Sequence, residues 1–181
     1  DLSSACCSSY LEHYFIGTKD RVDYFIPHID ENLVNDCQVG TRILFDDGLI
    51  SGKVIGKDRD YIQIEIINGG ILKSHKGINL PDTTVTAPSF TAKDQADLEF
   101  GLKHNIDYVA LSFVRSPEDI LLIKDFLQKR GFDIPIVSKI EKPQAVENLE
   151  AILKATDAIM VARGDMGVEL GNHLVPSVQK K

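Results

Sequence analysis

The stretch IPIVSKIEKPQAVENLEAILKATDAIMVARGDMGVEL, residues 134–170, decides how the rest of the chain is read. It has the pattern strand, helix, strand. The first apolar run, 134–140, finishes in Ser138, Lys139, Ile140 and Glu141, and the second, 158–162, runs into Arg163, Gly164 and Asp165. Between them Val146, Leu149 and Leu153 recur at i, i+3 and i+7, with Pro143 at a first helical position. A β-helix-β unit of this length makes neighbouring parallel strands whose carboxyl ends emerge on one edge. Lys139, Glu141 and Asp165 are therefore expected to converge at one mouth. Two carboxylates from adjacent strands offer hard oxygen ligands to a magnesium-like ion, and a lysine beside them suits an anionic substrate.

Working outward, 181 residues fit one or two domains, and a hydrophobic content of 43% is ample for a folded core. The net charge of −7 argues against a nucleic-acid partner, for which a basic patch is expected. An acidic chain that binds an anion must do so locally, through a metal and a few fixed cations. Cys6, Cys7 and Cys37 are odd in number and match no zinc spacing, which predicts free thiols in a reducing compartment. No apolar run approaches a membrane span, and residues 1–9 lack the basic start and apolar core of a signal peptide. The first residue is Asp1 rather than methionine, which fits a chain beginning inside a longer protein.

A change of grammar falls near residues 81–88. Before it, short apolar runs at 41–45, 49–55, 61–67 and 71–73 are separated by turn signals: Asp46-Asp47-Gly48, the charged 57–60, and Asn68-Gly69-Gly70. Residues 61–66 alternate as a half-buried strand does, 10–16 fit a further strand, and 76–81 are expected to leave the module. Such a series predicts a small β-barrel or sandwich. After the change, Thr91 and Asp94 form a capping-box-like start to a helix whose Leu98 and Leu102 share a face. Residues 108–113 read as a strand. Ser116-Pro117-Glu118-Asp119 then opens a second helix with cap, proline and acids in order, burying Ile120, Ile123 and Leu127 and stopping at Gly131. The strand–helix repeat of about 25 residues has the rhythm of a (β/α)8 barrel. Three strands, starting near 108, 134 and 158, cannot close a barrel of eight, so the chain is expected to be a fragment or to be completed by something else.

Together VSKIEKPQAVENL (137–149), IMVARGDMGVEL (159–170) and TAKDQADLEFGLKHNIDYVALSFVR (91–115) closely resemble the pyruvate kinase family. Residues 44–50 and 76–81 resemble that family's lid domain, and the likeness runs from about 39 to 178. The resemblance implies an α/β protein: residues 1–85 as a β-barrel lid, incomplete at its N-terminus and inserted into a partial (β/α)8 TIM barrel, and 86–181 as the middle of that barrel. It implies phosphoryl transfer from phosphoenolpyruvate to ADP, giving pyruvate and ATP, in a cytoplasmic homo-oligomer, a tetramer when complete. Mg2+ or Mn2+ would be held by Glu141 and Asp165, and K+ by ligands outside this chain. Lys139 would stabilise charge on the transferring phosphoryl group. The backbone at Gly164 and Asp165 would receive the substrate carboxylate, and Lys76 would contact nucleotide phosphates. Phosphoryl transfer needs mainly positioning and charge stabilisation, which a metal and a lysine supply.

Each of these residues has a plainer reading. Glu141 or Asp165 alone would be a solvated acid at a strand end, Lys139 a salt-bridge partner of Glu141, and Lys76 a solvated loop lysine. Ser112 and Arg115 face the same mouth by strand position and Arg163 stands beside the site, where a structural pair inside the barrel is its plainer reading. Asp46 and Asp47 suit a turn without function, and the five histidines show no metal spacing. Two departures stand out: Leu170-Gly171-Asn172-His173 replaces a proline-containing helix start, and Asp82 stands after Pro81 where glycine is common. The family's arginine, K+ ligands and a substrate-side threonine lie on strands absent here, so the chain alone is expected to turn over little. The competing readings are a metal-dependent lyase of the aldolase kind on a related barrel, and a non-catalytic truncated form that pairs with intact subunits.

Overall fold

Turn chemistry organises the first half of the chain. The computed structural model describes residues 4–7, 13–17, 25–27, 32–73, 76–83, 85–86 and 88–181. The chain divides into two units, Asp1–Ala87 and Pro88–Lys181. In the first, β1 (Ser4–Cys7), β2 (His13–Gly17), β3 (Phe25–Pro27) and a one-turn α1 (Leu33–Asp36) precede β4 (Arg42–Phe45), β5 (Ile50–Lys57), β6 (Tyr61–Asn68), β7 (Gly70–Lys73) and β8 (Ile78–Asn79). Asp46, Asp47 and Gly48 turn β4 back into β5 with φ of 50°, 55° and 84°. Asp and Gly are residues that tolerate this left-handed region. Six strands form one sheet in the order β3-β2-β6-β5-β4-β8, antiparallel except for β2–β3, and β1 pairs with β7.

Alternation along β6 sorts its two faces: Ile62, Ile64 and Ile66 are buried, while Tyr61, Gln63 and Glu65 are half-buried. The three isoleucines pack with Ile43, Phe45, Ile50, Val54, Leu72 and Leu80, and α1 adds Leu33 and Val34, followed by Cys37 just past its end. Gly52 lies at a register shift between β5 and β6, where a Cβ would stand 2.9 Å from the Glu65 carbonyl oxygen, too close for any side chain. Residues 76–81 do not leave the module as expected. Ile78 and Asn79 pair with Phe45 and Leu44, because β4 has an edge left to fill. Of the strand expected at 10–16, residues 13–17 form β2 and 10–12 lie outside the described residues. Among the described residues no pairing joins β3 to β8, so the strand ladder itself stays open.

The second unit runs α2 (Ala92–Leu102), β9 (Val109–Leu111), α3 (Pro117–Gln128), β10 (Ile136–Ile140), α4 (Pro143–Glu147), α5 (Leu149–Ala155), β11 (Ala158–Val161), α6 (Arg163–Leu170) and α7 (Val175–Gln179). The three strands form a parallel sheet in chain order, β9-β10-β11. Both long helices start as their caps dictate. Thr91 and Asp94 exchange side-chain and backbone hydrogen bonds at α2, as do Ser116 and Asp119 at α3. Ile120, Ile123 and Leu127 are buried from α3, and Gly131, at φ 78°, lies just beyond its end. The core joins these to Leu111, Val114, Ile136, Ile140, Ala145, Ile152 and Met166.

One expectation for the central stretch fails. Its helix breaks at Asn148 into α4 and α5, and Leu153 is 48% exposed. The inner face runs through Ala145, Leu149 and Ile152, at i, i+4 and i+7, with Val146 packed beside it, which turns Leu153 outward.

Candidate active site

The site is built where β9 and β10 end. Glu141 follows β10 directly, and its side chain is 1% exposed. A carboxylate so far from water must be paired or hydrogen-bonded. Its Oε2 accepts the Phe113 N–H at 2.9 Å. Phe113 holds φ at 54°, a left-handed conformation that a bulky residue keeps only under constraint. Glu141 Oε1 lies 2.5 Å from Lys139 Nζ but has no aligned hydrogen bond. The Lys139 ammonium also donates to Ser112 Oγ at 3.0 Å. Lys139, Glu141, Ser112 and Phe113 therefore form one cluster, in which the Lys139 ammonium donates a hydrogen bond to Ser112 and meets Glu141 as an ion pair.

The next connection is made by backbone. Ile140 pairs with Val161 across β10 and β11, and the Ala162 N–H donates to the Ile140 carbonyl at 3.3 Å. The chain does not carry its charged residues on a strand end here, as the sequence suggested. It turns into α6 at Arg163, so Gly164 and Asp165 occupy the exposed first turn of a helix. An acid in that turn gains from the helix dipole whatever else it does. Gly164 has an ordinary negative φ, and a Cβ added to it would meet nothing within 4 Å. Gly167 is the opposite case: it is buried, and a Cβ there would collide with Asn172 Oδ1.

Several participants were not read from the sequence. Lys142 forms an ion pair of 2.5 Å with Glu169 on α6, and its Nζ stands 5.3 Å above the Phe113 ring. Partners 27 residues apart leave no local signal, and only the burial of Glu169 reveals them. Asp119 accepts from the backbone N–H groups of Arg115 and Ser116, and the Arg115 guanidinium lies 3.6 Å from the same carboxylate. Asn148 donates to the Arg115 carbonyl. Arg115 thus serves the start of α3, while Ser112 touches Lys139. Arg163 is exposed.

Lys76 belongs to the first unit. Its ammonium pairs with Asp46 at 2.8 Å, and that hydrogen bond and charge hold its pKa above the usual lysine value. Cys37 is a buried free thiol, while Cys6 and Cys7 lie outside what is described of side chains.

The donor set suits one kind of metal. Among the described residues no three His, Cys, Asp or Glu side chains gather as a cation cage. Glu141 Oε1, buried and without an aligned donor, and the exposed carboxylate of Asp165 fit Mg2+, which binds through one or two carboxylates and keeps its remaining positions for water and substrate oxygens.

The family model described as "Pyruvate kinase, barrel domain" matches residues 18–181. The chain is 48% identical over 154 residues to a pyruvate kinase of Staphylococcus aureus (strain MRSA252). It is 47% identical over 152 residues to one of Staphylococcus epidermidis (strain ATCC 35984). Each match covers 83% of this chain and 26% of the relative, so the chain spans about a quarter of their length. On the family model and on these identities, the chain belongs to the pyruvate kinase family.

Proposed function

We propose that this chain is part of a pyruvate kinase that moves a phosphoryl group from phosphoenolpyruvate to ADP, giving pyruvate and ATP. In this reading residues 86–181 are an arc of a (β/α)8 barrel and residues 1–85 a β lid domain. The whole protein is a cytoplasmic homo-oligomer, a tetramer, with K+ bound by residues outside this chain. The observation that carries the reading is the Lys139–Glu141–Ser112 cluster, an ammonium and a buried carboxylate with one unsatisfied oxygen.

Mg2+ or Mn2+ would be held by Glu141 and Asp165, supplying positive charge to phosphoryl and enolate oxygens. Lys139 supplies the second positive charge. In the transfer, an ADP β-phosphate oxygen forms a bond to phosphorus as the bond to the enol oxygen breaks, and the enolate left behind takes up a proton to become pyruvate. Negative charge shifts onto the enol oxygen during this step, where a fixed ammonium stabilises it without solvent reorganisation. Ser112 keeps that ammonium oriented. The backbone of Gly164 and Asp165, on an open helix N-terminus, suits the substrate carboxylate, and glycine at 164 keeps the approach clear. Lys76 would meet the nucleotide phosphates in place of Asp46.

Family membership removes the ground for the lyase reading. The test is a coupled assay of ATP formation from phosphoenolpyruvate and ADP, run on the full-length polypeptide that carries this segment. Robust, Mg2+-dependent turnover is expected, lost by at least about a hundredfold in Lys139→Met, in line with the loss of a preorganised charge. The 181-residue chain alone is expected to give none. Turnover unchanged in Lys139→Met would sink the proposed role.

A further inference from the structure

The Lys142–Glu169 pair has no part in the chemistry above, yet it spans the two halves of the site. Lys142 follows Glu141 directly, and its Nζ lies 2.5 Å from Glu169 Oε1. Both side chains are withdrawn from water, 12% and 2% exposed. The same ammonium stands over the ring of Phe113, whose N–H holds Glu141 Oε2. Glu169 sits one helical turn beyond Asp165 on α6.

A buried ion pair is a poor way to add stability, because desolvation offsets most of the attraction and apolar side chains of equal volume do as well. Its distinctive property is direction. Met166 packs the inner face of α6 through contacts that tolerate slip and rotation, whereas an ammonium on a carboxylate fixes both. Slip of α6 would move Gly164 and Asp165 relative to the end of β10. We propose that Lys142 and Glu169 are positioning residues: their buried ion pair fixes α6 on the end of β10 and holds Gly164 and Asp165 in place against Glu141. The inference rests on the metal and carboxylate roles proposed above.

Mn2+ serves as the probe. Its binding to the full-length polypeptide is read from the free-ion paramagnetic resonance signal, alongside the melting temperature and the KM for phosphoenolpyruvate. Glu169→Gln and Lys142→Met are each expected to raise the Mn2+ Kd about tenfold or more, the usual effect of removing a partner behind a metal ligand. The apolar double variant Lys142→Met/Glu169→Leu is expected to melt near the wild-type temperature and still bind Mn2+ weakly. It decides the question even where a single variant fails to fold. A double variant with wild-type Mn2+ affinity makes the pair merely structural and overturns the proposal. Glu141→Gln separates the two layers: wild-type Mn2+ affinity there means that the metal assignment itself is wrong, and the positioning role falls with it.

Discussion

Gly164 occupies the first turn of α6 with an ordinary backbone angle, and a methyl group on its Cα would meet open space. Neither conformation nor packing calls for glycine, and helices disfavour it. Relative to alanine, glycine costs about 0.5–1 kcal/mol inside a helix. Near the first turn the lower figure applies, so Gly164→Ala should add about 0.5 kcal/mol of stability. In the full-length polypeptide, whose cooperative unit is larger than Pro88–Lys181, that amounts to about 1–2 °C or less in melting temperature. The same methyl group would stand where the substrate carboxylate is proposed to approach the backbone. Losing a hydrogen bond to a charged group is worth about 1.5–3 kcal/mol, so the KM for phosphoenolpyruvate should rise roughly tenfold to a hundredfold. Calorimetry and steady-state kinetics on the full-length polypeptide read the two effects separately. Gly167→Ala is the control, since its Cβ would displace the exposed Asn172 side chain without standing at the proposed carboxylate contact, and it should leave the KM for phosphoenolpyruvate unchanged. A stabilised Gly164→Ala protein with KM within twofold of wild type would refute the reasoning, because a glycine kept for a ligand cannot be silent.

Other expectations follow from single contacts. Asp157 accepts the Ile136 N–H and pairs with Lys124, and the first of these chiefly holds its pKa below the usual aspartate value. A depressed carboxylate contributes stability above its unfolded pKa and loses it as pH falls through the folded value. Urea midpoints should therefore drop more between pH 6 and pH 3 in wild type than in Asp157→Asn, by an amount kept below about 1 kcal/mol by solvent exposure. Cys37 is fully buried, and burial pushes its thiol up to about 11, so a thiol reagent at pH 8 should label it only after denaturation. Lys76→Met should raise the KM for ADP about tenfold, the worth of one charge-assisted contact, and leave the KM for phosphoenolpyruvate alone. A change in both would show that Lys76 acts through the fold rather than on the nucleotide.

What could be read beforehand was whatever the chain encodes locally. Ser116, Pro117 and Asp119 announce the start of α3 within four residues, and the structure uses each in that role. The isoleucines of β6 declare their face because a strand repeats every two residues. Leu153 lies outside the core because the buried stripe is anchored by Ala145 and Ile152, and an alanine is a weak apolar signal in the sequence. Asp165 was put on a strand end rather than a helix because Gly164 and Gly167 hide the helix from a propensity argument. Lys139 and Glu141 were legible as a pair two residues apart on one strand. Ser112, Phe113 and Glu169 became partners only through the fold, and Phe113 only through a backbone angle that no aromatic residue advertises.

The order of the parallel sheet bears on how this region is made during synthesis. β9, β10 and β11 lie in space in the order in which they are translated, each about 25 residues after the last. A ribosome adding roughly 5–20 residues per second delivers a new strand every few seconds. Formation of the intervening helix is faster than that. Each strand thus emerges after the neighbour it pairs with has been synthesised. Among the described residues β9 and β11 are both edge strands of this sheet, and Ile159 and Met160 of β11 are exposed. The growing edge is the place where a chaperone, or a wrong neighbour, would find this chain.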